Sequence, residues 1–193
     1  MNWRDVVLLI IDDERDLYEL VKLVLPEVDA VWVNSGKKAL QFLKKNKVDL
    51  VLLDKCFANI PEDSLLSGDP EAEGLTILSR IKENFNVPVL MITEFPDSVS
   101  VSKALSLGVD DYLEWEVLSY NPEILKKYIK QTIQFHSRGK EELFEKYYEL
   151  GFVGKSNAIL KIFREIERIA PRKITILITG ETGTGKEKVA RCI

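Results

Sequence analysis

The sequence predicts an α/β fold: a five-stranded parallel, doubly wound sheet, then a helical linker, then a phosphate-loop segment. Three observations predict it. Short apolar runs alternate with stretches whose apolar residues recur at helical spacing, five times in succession. Two of the runs are almost wholly apolar and end in carboxylates, as strands buried on both faces do when functional groups sit at their carboxyl edge. Late in the chain a further apolar run, residues 174–179, leads directly into Gly180-Glu181-Thr182-Gly183-Thr184-Gly185-Lys186.

The first strand, residues 6–11, stops at Asp12-Asp13-Glu14. Residues 16–25 carry apolar side chains at helical spacing, and Pro26 closes that helix. Residues 30–33 form a short strand. Ser35 is placed to cap a helix over 37–45, with Ala39, Leu40 and Leu43 on its inner face. Val48-Asp49-Leu50-Val51-Leu52-Leu53-Asp54 is the central strand; five of its seven residues are apolar and Asp54 ends it. Residues 55–73 are polar and acidic, hold Pro61, Gly68 and Pro70, and read as a long mobile loop leaving that strand's end. A helix over 75–85, a strand over 87–92 and a helix over 97–107 follow, the last ended by Gly108. Residues 109–113 make the fifth strand.

Pro122 opens a long final helix with Leu125, Ile129, Thr132 and Ile133 on one side; Gly139 interrupts it, Leu143, Phe144, Tyr147 and Leu150 resume, and Gly151 ends it. Two readings stay open for this stretch: a terminal helix docked on its own domain, or a linker that self-associates. Its apolar stripe is shorter than a coiled-coil assignment needs. Residues 159–169 are amphipathic, with Ile159, Ile162, Phe163, Ile166 and Ile169 to one side.

The 193 residues, 46% apolar and 30% charged, suit one domain and part of another. A net charge of −4 gives no electrostatic footprint for nucleic acid. Cys56 and Cys192 form no CxxC or disulfide framework, so a reducing cytoplasm is expected, and His136, the single histidine, supports no His-rich zinc site. No apolar run approaches the roughly 20 residues that span a bilayer, so no membrane association is expected. The N-terminus enters a strand with acidic residues at once, and a signal peptide is not expected.

If the first and third strands are neighbours, Asp12, Asp13 and Asp54 meet at one sheet edge. Such carboxylates repel one another unless a hard cation sits among them, and oxygen ligands suit Mg²⁺. Plainer readings are a solvated loop or a helix-capping pair for Asp12 and Asp13, and a turn-forming role for Asp54. Phosphatases with an aspartyl nucleophile and nucleases that hold metals with acidic residues use similar sets. In the late motif, the spacing G-x-x-x-x-G-K after a strand lets backbone N–H groups wrap phosphate oxygens while Lys186 neutralises the β- and γ-phosphates. Glu187 stands where a magnesium-holding hydroxyl usually follows the lysine.

Residues 5–135 resemble the receiver domain of two-component response regulators, a flavodoxin-like fold. The resemblance rests on Ile11-Asp12-Asp13-Glu14, Leu52-Leu53-Asp54, Met91-Ile92-Thr93, Leu107-Gly108-Val109-Asp110-Asp111-Tyr112 and the five β/α units in order. It implies that Asp54 receives a phosphoryl group from a histidine kinase. It further implies that Asp12, Asp13, Asp54 and the Cys56 carbonyl hold Mg²⁺, that Thr93 hydrogen-bonds the new phosphoryl group, and that Tyr112 changes rotamer on activation. The family's lysine after the last strand is replaced by Trp115, within Leu113-Glu114-Trp115-Glu116, and the loop after Asp54 is about a dozen residues longer than is usual. A receiver that dimerises or binds partners without phosphorylation is the alternative, and an aspartate-based phosphatase is a third.

The last part, Phe152-Val153-Gly154-Lys155-Ser156, Ile169-Ala170-Pro171 and Ile176 through Glu187, resembles the start of the AAA+ domain of NtrC-type sigma-54-dependent activators, which carry Glu after the same lysine. The expected organisation is a receiver over 1–135, a helical linker over 136–151 and a truncated AAA+ P-loop segment over 152–193. ATP is the implied ligand of residues 180–187 in a full-length protein. The chain ends at Ile193, one turn into the helix after the loop. A strand and one helix bury little core, so residues 152–193 are expected to dock elsewhere or be partly disordered, and ATP hydrolysis is not expected of them. Contacts with sigma-54 RNA polymerase and DNA would fall to parts beyond them. The function implied is the regulatory half of such an activator, a cytoplasmic homodimer in which phosphorylation of Asp54 controls ATPase assembly.

Overall fold

A computed structural model describes residues 1–57, 70–94, 98–154, 156–170 and 176–193. They form two units, Met1–His136 and Ser137–Ile193.

The first unit is a five-stranded parallel sheet: β1 (Val7–Ile11), β2 (Asp29–Val33), β3 (Leu50–Asp54), β4 (Val89–Thr93) and β5 (Asp111–Glu114), ordered β2-β1-β3-β4-β5. The three central strands, β1, β3 and β4, carry no polar residue before their last position, because helices cover both faces. On one face, Leu8, Ile10, Leu50, Leu52, Leu90, Ile92 and Leu113 pack against α1 (Asp16–Val24), α5 (Trp115–Tyr120) and the start of α6 (Ile124–Glu149). On the other, Leu9, Ile11, Val51, Leu53, Val89 and Met91 pack against α2 (Gly36–Lys45), α3 (Pro70–Asn84) and α4 (Ser98–Ser106). Each fully buried Leu or Ile contributes roughly 2 kcal/mol by leaving water. The doubly wound sheet is thus as expected, and Ser35 Oγ caps α2, accepting from the Lys38 amide at 3.4 Å.

Several elements differ from the sequence reading. The helix expected from 75 starts at Pro70, so the segment expected as loop over 55–73 gives its last four residues to α3. Proline suits a first helical turn, where its absent N–H has no partner to lose. Residues 58–69, the rest of that segment, lie outside the described residues. Gly74 lets α3 lie on the end of β3: a Cβ there would stand 2.3 Å from the Lys55 carbonyl oxygen and 2.7 Å from that of Asp54. The long final helix begins at Ile124, two residues past Pro122, and a six-residue helix absent from the sequence reading, α5, precedes it, with Leu118 fully buried. Gly139 does not break α6 either; a single glycine costs a helix about 1 kcal/mol, less than flanking turns supply.

The second unit contains the latter part of α6, α7 (Asn157–Ile169) and α8 (Lys186–Cys192). Residues 152–193 were expected to lack a core of their own; α6 provides one. Phe144 and Tyr147 from α6 pack against Leu160, Phe163 and Ile166 from α7, with Tyr147 and Phe163 stacked at 4.2 Å. Phe163 and Ile166 are buried as the spacing predicts, but Leu160 is buried where Ile162 was expected, and Ile162 is 44% exposed. Ser156 Oγ caps α7 through the Ile159 amide. The strand expected over 174–179 is not formed in its described part: residues 176–181 have no regular structure. A parallel strand needs a hydrogen-bonded neighbour, and the described residues of this unit supply none. Among the described residues, no helix is long and apolar enough to cross a membrane.

Candidate functional site

The site lies at the carboxyl edge of β1 and β3. Ile11 pairs with Leu53, so the next residues, Asp12 and Asp54, emerge side by side. Carboxylate oxygens of Asp12, Asp13 and Asp54 lie within 4.8 Å of one another. They open into a pocket of about 200 Å³, lined by Asp12, Asp13, Glu14, Asp16, Asp54, Cys56, Ile92, Glu94 and Trp115. Asp12 and the strand ends are buried, so these charges are poorly solvated. Burial, then the charge of Asp12, pushes the Asp54 carboxyl up to about 8, against the opposing bond from the Cys56 amide to Oδ2 at 3.0 Å. Burial likewise pushes Asp12 up to about 6, against the Glu14 amide donating to its Oδ1 at 2.9 Å, with Asp13, Glu14 and Asp16 adding repulsion. A set of hard oxygen donors this close, costly to ionise together, fits a divalent cation such as Mg²⁺.

Thr93 ends β4 and is fully buried. The register Met91 to Tyr112 places Thr93 and Tyr112 on the same face of the sheet, with Thr93 nearer the carboxyl edge. Cys56 lines the pocket and its N–H holds Asp54, while Trp115 lines it at the start of α5. No lysine or arginine is among the described lining residues. The sequence reading did not single out Asp16 and Glu94 as pocket residues. Glu94 directly follows the last residue of β4, a signal available from strand ends alone.

Of the phosphate-loop residues, Gly180, Gly183 and Gly185 have φ of +156°, +84° and +85°, backbone that favours glycine. Thr184 Oγ1 donates to the Glu181 carbonyl, and the Lys186 ammonium donates to the carbonyls of Gly180 and Glu181 at 2.9 and 2.5 Å. Thr182 lies in the same turn, and Glu187 pairs with Arg191 along α8. The two candidate sites, Asp54 and Lys186, belong to different units.

Comparison with known proteins agrees with this geometry. Residues 8–127 match the response regulator receiver domain, and residues 152–193 match the sigma-54 interaction domain. The transcriptional regulatory protein ZraR of Escherichia coli K12 is 32% identical over 197 aligned residues, covering 100% of this chain and 41% of that protein. The regulatory protein LuxO of Vibrio cholerae is 27% identical over 86% of this chain and 34% of its own length. The chain thus spans about two fifths of the length of the curated relatives it matches. The crystal structure of NtrX from Brucella abortus superposes with a TM-score of 0.59 at 27% identity, covering 96% of this chain and 39% of that one. A two-component response regulator from Clostridium difficile gives 0.55 at 26% identity, over 67% of this chain and 97% of its own. With a doubly wound sheet, an acidic cluster at its carboxyl edge and a match over residues 8–127, the chain belongs to the response regulator receiver family, joined to the opening of a sigma-54 interaction domain.

Proposed function

We propose that Asp54 accepts a phosphoryl group from a histidine kinase and that the phosphorylated receiver controls assembly of a sigma-54-dependent ATPase. The observation that carries this reading is the gathering of Asp12, Asp13 and Asp54 within 4.8 Å at the mouth of a polar pocket. In the transfer, an Asp54 carboxylate oxygen attacks phosphorus, the P–N bond of the kinase phosphohistidine breaks, and its electron pair stays on the imidazole nitrogen. The product is an acyl phosphate. Asp12, Asp13, Asp54 and the Cys56 carbonyl would hold Mg²⁺, which offsets charge on the phosphoryl oxygens when bound. The Cys56 amide orients Asp54, and Thr93 follows Ile92, the register partner of Asp54, so its hydroxyl would be the one to turn toward the phosphoryl group. Tyr112, on the same face as Thr93, is the side chain whose rotamer would follow that hydroxyl. Adding about two negative charges here biases any element that can bring a donor to them.

In the whole protein, residues 180–187 would bind ATP. The Lys186 ammonium would exchange the carbonyls of Gly180 and Glu181 for β- and γ-phosphate oxygens. Sigma-54 RNA polymerase and DNA are the further partners of such an activator, and a homodimer is the expected regulatory state.

One observation favours a second reading, a receiver that binds partners without phosphorylation: Trp115 lines the pocket where the resemblance puts a lysine. Intact-mass analysis after incubation with acetyl phosphate and Mg²⁺ decides between the two. A gain of about 80 Da in the wild type and none in Asp54→Ala supports phosphoryl transfer to this carboxylate. No gain in either protein favours the second reading.

A further inference from the structure

Trp32 lies on β2, outside the acidic pocket, yet its indole N–H is shared between two carbonyls of the loop that carries the acids. Nε1 donates to the Asp12 oxygen at 2.9 Å and to the Glu14 oxygen at 2.9 Å. These two carbonyls flank Asp13. The same short loop is tied again by the Asp12 amide to the Val33 oxygen at 3.1 Å, and by the Glu14 amide to Asp12 Oδ1 at 2.9 Å. The Arg15 guanidinium sits over the Trp32 ring, 4.6 Å from its centroid. The ring rests against the core face that contains Ile10, its register partner on β1.

Three carboxylates within 4.8 Å repel one another, and a loop free to relax would spread them apart. A single donor fixed on the neighbouring strand opposes that relaxation, because moving Asp13 outward must break a bond on one side of it or the other. We propose that Trp32 is a positioning residue for the divalent-cation site, holding the Asp12–Glu14 backbone so that the Asp13 carboxylate stays beside Asp12 and Asp54 before the cation arrives. This inference rests on the reading of those carboxylates as a Mg²⁺ site. It assigns Trp32 the place that outer-sphere partners have in other metal sites, where they orient ligands they do not replace.

The consequence separates positioning from packing. Trp32→Phe keeps the ring on the core and under Arg15 but removes the N–H. If the indole holds repelling charges together, its loss weakens Mg²⁺ binding while leaving the metal-free protein as stable as before, or more so. Mg²⁺ titration by calorimetry on wild type and Trp32→Phe, with melting of both in EDTA, measures the two effects separately. The expected result is a Kd for Mg²⁺ raised about tenfold with no fall in the EDTA melting temperature. Equal Mg²⁺ affinity in the two proteins would overturn the inference and leave the Mg²⁺ site intact. A lower EDTA melting temperature accompanying the affinity loss would also overturn it, assigning Trp32 to packing. A wild type that takes up no Mg²⁺ would remove the site itself and the inference with it. Should the variant not fold, exchange of the Trp32 indole proton in the wild type decides. Protection that deepens with Mg²⁺ supports the clamp, and exchange at the rate of free indole overturns it.

Discussion

His136 Nδ1 lies 2.9 Å from Asp110 Oδ1, joining the middle of α6 to the residue just before β5. The other Asp110 oxygen accepts from the Val89 amide at 2.8 Å and from the Lys82 ammonium of α3. One carboxylate thus fastens α3, β4 and α6 at the sheet edge opposite the acidic pocket. Burial pushes the Asp110 carboxyl upward, but the His136 bond, the Lys82 charge and the Val89 amide outweigh it and hold it below its ordinary value. With the carboxylate ionised, His136 must donate through Nδ1. Asp110→Ala should cost about 3 kcal/mol, because it strips the half-buried Lys82 ammonium of its counter-charge, though not of the Val87 carbonyl, and leaves the Val89 amide without its acceptor. The depressed carboxyl contributes its stability above the ordinary Asp range and loses it as pH falls through its own lower value. Urea unfolding of wild type and Asp110→Ala should therefore differ most near neutrality and converge in acid.

Asp54 shows the opposite linkage. Its carboxyl is raised from 3.8 to about 8, so the folded protein binds this proton more tightly than the unfolded chain does. Metal-free stability then falls as pH rises from about 4 to about 8, and Asp54→Asn should remove most of that fall, gaining of order 3 kcal/mol at pH 8 and leaving the smaller part that Asp12, raised to about 6, contributes. Added Mg²⁺ should stabilise the wild type at pH 8 far more than the variant, because it binds the ionised cluster. Urea midpoints at pH 5 and pH 8, with and without Mg²⁺, measure all four terms. A wild type whose metal-free stability rises over that interval would contradict the raised carboxyl.

Gly74 tolerates no side chain. An added Cβ would meet the carbonyl oxygens of Lys55 and Asp54, backbone atoms that cannot step aside as a flexible side chain would. Gly74→Ala should destabilise by about 3 kcal/mol even though alanine is the better helix former. Because the displaced carbonyls belong to Asp54 and its neighbour, the same change should weaken Mg²⁺ binding. Chemical denaturation and calorimetry test the pair of effects, and an unchanged or raised midpoint would show that α3 can shift freely.

Trp115→Lys should bring an ammonium to a pocket whose described lining has none. A cation beside Asp54 favours its ionised form, so the Asp54 carboxyl should drop. The same charge competes with Mg²⁺, and the Kd should rise severalfold while the yield of acyl phosphate from acetyl phosphate increases. Titration of the Asp54 side-chain carbon by NMR, with intact mass for the yield, reads both. If the carboxyl stays where it is in the wild type, Trp115 does not occupy the lysine's place.

In the second unit, Tyr147 stacks on Phe163 at 4.2 Å and donates its hydroxyl to Glu167 at 2.7 Å. Phe163→Ala should cost about 4 kcal/mol, since Phe144, Phe152 and Tyr147 all lean on that ring. Tyr147→Phe keeps the stack and should cost about 1 kcal/mol. Amide exchange across residues 140–170 should rise sharply in the first variant and slightly in the second.

The sheet and its acidic edge were legible because period and strand-end chemistry are local. Leu50 to Leu53 read as a strand buried on both faces because the run is short and continuous, and carboxylates at 12 and 54 follow from where two such strands stop. The start of α3 was hidden because Glu71 and Glu73 are polar, while Glu73 is in fact buried against the fold. The helix α5 was missed because Trp115 to Tyr120 are too few residues to display a helical period. In α7, Leu160 and Ile162 are equally apolar, and only the position of Phe144 and Tyr147 decides which turns inward. Trp32 escaped notice because its donor acts through backbone carbonyls, which no motif spells out.

Phe57 is fully buried, and Glu73 and Gly74 are buried in turn, so both borders of the stretch between them are nailed to the fold. Doubling the length of chain between fixed ends adds only about 0.6 kcal/mol of closure entropy. Changes of length between these two borders therefore cost little in closure entropy and leave Asp12, Asp13 and Asp54 where they are. At the far border, Gly74 cannot be exchanged without pushing on the backbone of Asp54 itself.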